Sequence, residues 1–467
     1  MSTLPRIGAA SALLLALLTP DAATAQGAAG AAAWQQANTA PRAAPSAWWQ
    51  GFGDPALDAL VTRALADGPD LAGAVARIDQ ARAAARAAGA RRLPIGEVNG
   101  SLARSEQSLR SGLGQLSRYV PTIERTQDMA SLDATLGWDL DLGGGLLGNA
   151  RAARADVVAA EAGLGATRLA LASEVVSQYL ALREAEALVR LLGEQRDDLQ
   201  ARLGHATFRV AAGDAAAREQ DDRARDRAAI EADLALVSAQ VIAAKNALAV
   251  LTGRSAGTAL PELDTAAGAT GTIPLAEDPA SGTPADLLRA RPDLVLAEAR
   301  TVGAKARVKI ALGEYWPHVS IGGLLGFETN ALASFGAGST RTSQGFLGLR
   351  WRLFDFARIN AEVAAARGAE REALAAYRDA VLRAGEQVES AFTLAAARRS
   401  ALAAQEQRLN AAEQAWKRAQ AAHRLGEISD DQLRGEHLQR LQVLAARITA
   451  RRALAEAILA CHKALGG

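Results

Sequence analysis

Few residues in this chain stand where they could do chemistry. Its five histidines, His205, His318, His423, His437 and His462, form no H-E-x-x-H pair, and no G-x-S-x-G elbow, phosphate loop or dinucleotide fingerprint occurs. Gly143-Gly144-Gly145 has no lysine after it, so it predicts a strand-to-helix corner rather than a phosphate cradle. Cys461 is the single cysteine, which excludes an intramolecular disulfide, C-x-x-C zinc sites and dithiol redox pairs. Its spacing from Leu454 and Leu465 predicts a small core residue. What remains is acid. Asp430 and Asp431 follow Gly426, and Glu219 stands six residues past Gly213, where Gln432 holds the equivalent place after Gly426. Carboxylates repeated by symmetry around a narrowing would repel one another and favour cations; at the start of a solvated helix they would simply suit its dipole. No catalytic, metal or cofactor site is assigned.

The elements that carry these acids come in two copies. Pro69-Asp70-Leu71 recurs as Pro292-Asp293-Leu294, and Pro94 as Pro317, both at an offset of 223. Leu136, Trp138 and Leu140 recur as Leu349, Trp351 and Leu353, and Gly213 as Gly426, at an offset of 213. The ten-residue change falls between Pro317 and Trp351, in a loop spanning 105–127 in one copy and 329–342 in the other. Repeat one spans about 47–255, a linker about 256–283, and repeat two about 284–465.

Each copy reads helix, strand, loop, strand, long helix, turn, helix. The first helices cover about 55–92 and 284–315 and are stopped by Pro94 and Pro317. Over 131–142, Leu132, Ala134, Leu136, Trp138, Leu140 and Leu142 alternate with a polar set that includes Asp133, Asp139 and Asp141. Leu347, Leu349, Trp351 and Leu353 alternate likewise with Gly348, Arg350 and Arg352. Val319 to Phe327 also alternates, whereas 95–104 is only partly patterned. In the second long helix Leu374, Val381, Val388, Ala395, Leu402, Leu409 and Trp416 stand seven apart, with Ala384, Ala391, Ala412 and Ala419 as companions, which predicts a close-packed coiled-coil seam. A weaker seam runs Val175, Leu182, Val189. The long helices cover about 147–210 and 357–423, roughly 90–100 Å each at 1.5 Å per residue, and predict an elongated molecule. Within the charged run Arg218 to Arg227, the spacing predicts Glu219–Arg223 and Asp221–Arg225 pairs.

The 467 residues carry 52 Lys+Arg and 51 Asp+Glu, a net charge of +1, which excludes nucleic-acid binding by bulk charge. Apolar residues make up 49%, too many for a disordered chain. Arg6, the apolar run Ile7 to Leu18 and Ala23-Thr24-Ala25 read as a signal peptide over 1–25, and no later stretch approaches a membrane helix. Strands of about ten residues suit a tilted membrane crossing, with the apolar face in lipid, the charged face in water, and Trp138 and Trp351 at the lipid interface. Four strands leave open edges that lipid does not tolerate, so several chains must share one barrel. A soluble sheet on a periplasmic coiled-coil scaffold is the alternative, since the same alternation serves a half-buried sheet.

With these residues in view, the sequence resembles the outer-membrane efflux factors, the TolC-like family, most closely its NodT-type multidrug branch. Trp48-Trp49-x-x-Phe52-Gly53-Asp54-Pro55 is similar to that branch's opening signature, and Leu287-Leu288-Arg289-Ala290-Arg291-Pro292-Asp293-Leu294 with Ala297-Glu298 to its mid-chain signature. Arg209-Val210-Ala211-Ala212-Gly213 and Arg424-Leu425-Gly426-Glu427-Ile428-Ser429 resemble its tip turns. The likeness covers about 47–465.

The resemblance implies a mixed α and β membrane protein: a homotrimer whose four strands per chain make a 12-stranded outer-membrane β-barrel, continuous with a periplasmic coiled-coil α-barrel. It implies the passive, gated exit duct of a tripartite pump, joined by a periplasmic adaptor and an inner-membrane RND-type pump, exporting drugs or other small toxic compounds. Metal-ion or type I protein secretion is the alternative within the family. By resemblance Asp430, Asp431 and Glu219 are gate candidates. Arg209, Gly213, Arg424, Gly426 and Ile428 would contact the adaptor, and Asp133, Asp139, Asp141, Arg350 and Arg352 would line the barrel lumen. The branch usually carries a lipid-bearing cysteine at its cleavage site; Ala25-Gln26 stands there instead, which implies a protein held by its barrel alone.

Overall fold

The computed structural model describes residues 47–108, 126–264, 273–279 and 290–467, with positions 110, 112, 115, 119 and 120 between the first two ranges. The expected signal peptide and Leu287 to Arg289 of the mid-chain motif lie outside the described residues, and the linker is described only in part. After a short 3-10 turn at Trp48–Phe52 come α1 (Pro55–Asp67), α2 (Pro69–Ala90), β1 (Ile95–Glu106), β2 (Thr126–Asp139), α3 (Gly145–Ala211) and α4 (Ala217–Leu251). Then follow α5 (Pro292–Gly313), β3 (His318–Thr329), β4 (Arg341–Arg350), α6 (Phe356–Arg424) and α7 (Asp430–Leu465).

Three expectations need correction. The helix read over 55–92 is two helices: Gly68 is extended (ψ 124°), and Pro69, lacking an N–H, opens α2. A Cβ at Gly68 would lie 2.4 Å from the Ala64 carbonyl oxygen, so the chain can make this break only at glycine. The strand read over 131–142 spans Thr126–Asp139, and β4 ends at Arg350, so neither Asp141 nor Arg352 continues a strand. Finally, α4 is long and apolar enough, with a mean hydropathy of 1.7 in one window, to meet the length and composition test for a membrane helix. Its alanines and valines raise the average, which inspection for leucine runs misses.

The chain forms two compact units. The unit of residues 72–165 and 295–380 holds the sheet, an antiparallel meander in the order β1-β2-β3-β4. Register places Val98 beside Ala134, Ala134 beside Leu325, Trp138 beside Ile321, and Ile321 beside Leu347. Since side chains alternate faces, Val98, Leu102, Leu132, Leu136, Ile321, Leu325, Leu347 and Leu349 share one face. All eight are exposed. Asp133, Asp139, Ser320, Gln344 and Arg350 occupy the other. Beside the sheet, α3 and α5 run antiparallel and close together: a Cβ at Gly148 would meet Ile310 Cγ1 at 2.7 Å.

In the other unit (residues up to 71, 166–294 and 381–467), α3 and α4 form one antiparallel pair, tied by Arg209–Glu219 and Lys245–Glu186. A second pair, α6 and α7, is tied by Arg447–Glu406 and by the Trp416 and His437 rings, 4.7 Å apart. The heptad reading holds in the middle of α6, where Val388, Ala395, Leu402 and Leu409 are buried with the companions Ala384, Ala391 and Ala419, whereas Leu374, Val381, Ala412 and Trp416 of the same pattern are only half-buried. Val175 and Leu182 are fully buried on α3. Small companions let the helix backbones approach, which the leucines and valines then seal.

Candidate functional site

The two helix turns are built alike. Gly213 and Gly426 take the left-handed conformation (φ 79° and 78°), which β-carbon sterics make costly for other residues. Each turn carries the same six-residue closing bond, from Asp214 N to Arg209 O (2.8 Å) and from Glu427 N to Ala422 O (2.9 Å). Phe208 and Leu425 stand out into solvent beside them, each 75% exposed. The starts of the following helices differ. Ser429 caps α7 in a box with Gln432, Ser429 N donating to Oε1 (2.9 Å) and Gln432 N to Oγ (3.2 Å). Ala216 gives α4 no side-chain cap, which leaves Glu219 to pair with Arg209 (3.0 Å).

The acids beyond these turns do not stand bare. Arg202 on α3 forks onto Asp431, and Arg223 reaches the same carboxylate at 3.7 Å. The Arg202 hydrogen bond, against an opposing burial cost and helped by the Arg223 and His205 charges, holds the Asp431 carboxyl below its ordinary range. Asp430 takes Arg434 Nε at 2.8 Å and faces His205 at 3.6 Å. Arg434 also donates to Asp198 on α3 (3.0 Å), whose second oxygen accepts from His437 Nδ1 (2.5 Å). The result is a chain of alternating charge that fastens the start of α7 to α3. The expected Glu219–Arg223 and Asp221–Arg225 pairs do not form as read: Glu219 takes Arg209, Arg223 takes Asp431 and Asp226, and Arg225 pairs with Asp222 while donating to the Asp221 carbonyl. Of the turn residues, Arg209 and Arg424 are exposed, and Ile428 lends its carbonyl to His423 Nδ1 (3.1 Å).

At the sheet, Asp133, Asp139 and Arg350 lie on the polar face. Asp141, at φ 27°, instead caps α3: its two oxygens accept from Leu146 N and Leu147 N, both at 2.8 Å. The glycine run is the corner that the sequence predicts, since a Cβ on Gly143 would strike the Gly313 oxygen at 2.5 Å. Arg352 is likewise a corner residue, bonded to Glu314, Asp355 and Glu362. Trp138 Nε1 donates to Arg92 O (2.9 Å) and Trp351 Nε1 to Tyr315 O (3.0 Å), each fixing a strand end to the end of a short helix. Both rings stay partly exposed.

The signature motifs turn out to be anchors that the sequence alone does not explain. Asp54 accepts from Ala56 N at the start of α1 (3.0 Å) and from the buried Tyr179 hydroxyl (2.5 Å), which in turn accepts from Arg183 Nε (2.9 Å). Burial, with that hydrogen bond to Asp54, pushes the Tyr179 hydroxyl well above its ordinary range. Arg291, 6% exposed, forks onto Asp293 and donates to Ala464 O and Gln387, which ties the end of α7 to the start of α5. Cys461 is fully buried, and burial pushes its thiol up to about 12.

The sequence profile described as outer membrane efflux protein matches residues 60–254 and 283–467. The chain belongs to that family. Its members are channel proteins, and this chain is an efflux channel of the outer membrane. It is 30% identical over 433 residues to the pyoverdine export outer membrane protein OpmQ of Pseudomonas aeruginosa, covering 90% of this chain and 87% of OpmQ. It is 26% identical to nodulation protein T of Rhizobium leguminosarum bv. trifolii, over 74% of this chain and 71% of that protein. Among solved structures, the Campylobacter jejuni CmeC outer membrane channel superposes with a TM-score of 0.79 at 20% identity, covering 94% of this chain and 90% of CmeC. The open state of the Neisseria gonorrhoeae MtrE channel gives 0.78 at 22% identity, covering 94% and 96%. At these identities the likeness is one of fold.

Proposed function

We propose that three copies of this chain close one 12-stranded barrel in the outer membrane, continuous with a periplasmic α-barrel of their helices, and that the assembly is the passive exit duct of a tripartite efflux pump. The observation that carries this reading is the sheet: one exposed apolar face, one largely polar face, and two edge strands, β1 and β4, that pair with no further strand among the described residues. In lipid such edges must be paired, and another copy of the same sheet supplies the pairing. The exposed apolar side chains Leu236, Ile242 and Val250 on α4 are suited to cover by a neighbouring copy. The matching tryptophan bonds at Trp138 and Trp351, and the matching turns at Gly213 and Gly426, support a two-copy chain whose repeats alternate around the ring.

In this reading Asp133, Asp139 and Arg350 face the lumen, with Asp141 and Arg352 at its helix-side rim, and Trp138 and Trp351 sit at the lipid interface. The turns carrying Arg209, Gly213, Arg424, Gly426 and Ile428 meet the periplasmic adaptor, and exposed Phe208 and Leu425 offer it apolar purchase. Asp430, Asp431 and Glu219 form the gate as ion-paired latches rather than as a bare acidic ring. The adaptor opens the duct by favouring the state in which those pairs part. An inner-membrane RND-type pump supplies energy and selectivity. Small organic compounds are the cargo class, in keeping with the name of OpmQ, which specifies pyoverdine export.

Fractionation and conductance test this together. The protein should resist high-salt release from outer membranes, run as a trimer when unheated, and conduct in planar bilayers. Release by salt as a monomer without conductance would instead support the periplasmic scaffold.

A further inference from the structure

The apolar face of the sheet is not smooth. A groove of about 510 Å³ lies along it, with the small Ala134 at its floor and Val98, Leu132, Leu325 and Phe327 around it. Register puts these five on one face, and Arg341, opposite Phe327 on β4, ends the groove on that same face. Asp133 also borders it, but alternation turns that side chain to the other face. The helices join the sheet at the end that holds Ile95, Asp139, His318 and Arg350, and Arg341 stands at the opposite end. Its guanidinium is exposed and has no ion pair or hydrogen bond among the described residues. Arg104, on the same face of β1, is by contrast matched by Asp128 at 3.5 Å. Beside Arg341, the Phe327 ring lies 6.4 Å from Phe335, which is itself exposed.

We propose that this groove holds lipid A, the phosphorylated acyl glycolipid of the outer leaflet, with a phosphate on Arg341 and an acyl chain running down over Ala134. The inference rests on the membrane reading of the sheet. Three observations select this occupant. The first is depth. From Arg341 to Trp351 the chain advances ten residues, roughly 33 Å at 3.3 Å per residue. The 35–45° tilt of membrane strands reduces that to about 25 Å, the height of the apolar band of such barrels. With Trp351 at the helix-side interface, Arg341 therefore stands at the outer one. The second is order along the face. The cation and the two phenylalanines come at the outer end, and Leu325, Ala134 and Val98 follow toward the helices. A lipid whose headgroup meets Arg341 thus has its acyl chain in hydrocarbon. The third is charge: an unmatched guanidinium presents a fork that suits phosphate, beside aromatic rings of the kind that settle at headgroup level.

The test uses the assembled full-length protein as wild type, Arg341→Gln and Ala134→Phe. Each is titrated in detergent with lipid A, with the same lipid A stripped of its phosphates, and with phosphatidylglycerol. Native mass spectrometry counts the lipid bound per chain. Wild type should bind lipid A more tightly than either other lipid. Arg341→Gln should weaken lipid A binding roughly fivefold, the change expected for one cation at an anionic headgroup, and should leave the stripped lipid unaffected. Ala134→Phe fills the groove without touching a charge and should weaken both forms of lipid A. Both positions are exposed, and migration of each variant as the same unheated oligomer as wild type checks that it assembles. If either assembled variant binds lipid A as wild type does, the inference is overturned. Phosphatidylglycerol bound by wild type as tightly as lipid A would overturn it as well. High-salt washing separates the two levels of failure. Wild type released from membranes by salt defeats the membrane reading itself, whereas wild type that stays embedded without the expected lipid A preference defeats only the groove.

Discussion

Arg202 grips Asp431 with two parallel bonds, Nε to Oδ1 at 2.8 Å and the terminal amine to Oδ2 at 3.2 Å, across 229 positions of sequence. A planar fork of this kind holds direction as well as charge. It sets the first turn of α7 against α3, so any motion that swings α7 away from α3 must part it.

In the proposed gate, breaking that fork should loosen the closed state. Asp431 is about a third exposed, so solvent discounts the pair to about 1 kcal/mol. Arg202→Gln or Asp431→Asn should each raise open probability in planar bilayers by roughly fivefold. The charge-swapped pair Arg202→Asp with Asp431→Arg should return it toward wild type; no recovery in the swap would remove the latch role.

Acid should do the same. The Asp431 carboxyl is held below its ordinary range in the folded protein, so its contribution is complete above the unfolded value of about 4. It is lost as pH falls through the lower folded value. Conductance measured across the acid range should rise below about pH 4 in wild type, and that rise should shrink in Asp431→Asn.

The helix seam offers a stability test with no gating component. Leu402, buried on α6 between Ala395 and Leu409, should cost about 2–4 kcal/mol as Leu402→Ala, read as lower denaturant or heat resistance of the assembled protein. Leu382, 74% exposed on the same helix, should change little as Leu382→Ala unless another copy covers it.

Much of this was legible in the sequence, and the failures have physical causes. Periodicity is local, so the α6 seam, the alternating strands and the turns at Gly213 and Gly426 could be read from spacing alone. The Gly68–Pro69 break was legible too, because a proline without an N–H is a stop signal wherever it stands. Partners of charged residues were not legible: nothing near Asp431 names Arg202, and nothing near Asp54 names Tyr179. Of the pairs predicted at helical spacing in the charged run, Glu219–Arg223 lost to Arg209 and Asp431 on neighbouring helices, and Asp221–Arg225 lost to Asp222 one turn back on the same helix. The same ignorance made Asp141 look like a strand residue, whereas its carboxylate is spent on two N–H groups at the start of α3.

The exposed apolar sheet face predicts a strong response to charge. Leu347 and Leu349, 72% and 68% exposed, should tolerate Leu→Val, but Leu347→Arg should cost roughly 2–4 kcal/mol if the face meets hydrocarbon. The readout is the share of protein in the outer-membrane fraction. Equal insertion of Leu347→Arg and wild type would mean that this face is wet.

The most direct measurement is accumulation of a fluorescent efflux substrate in cells lacking this gene and the other exit ducts, carrying wild type, Leu347→Arg or an empty plasmid. An exit duct predicts low accumulation with wild type and high accumulation with Leu347→Arg and the empty plasmid. Equal accumulation in all three, with wild type present in the outer membrane, would contradict export of small compounds by this chain.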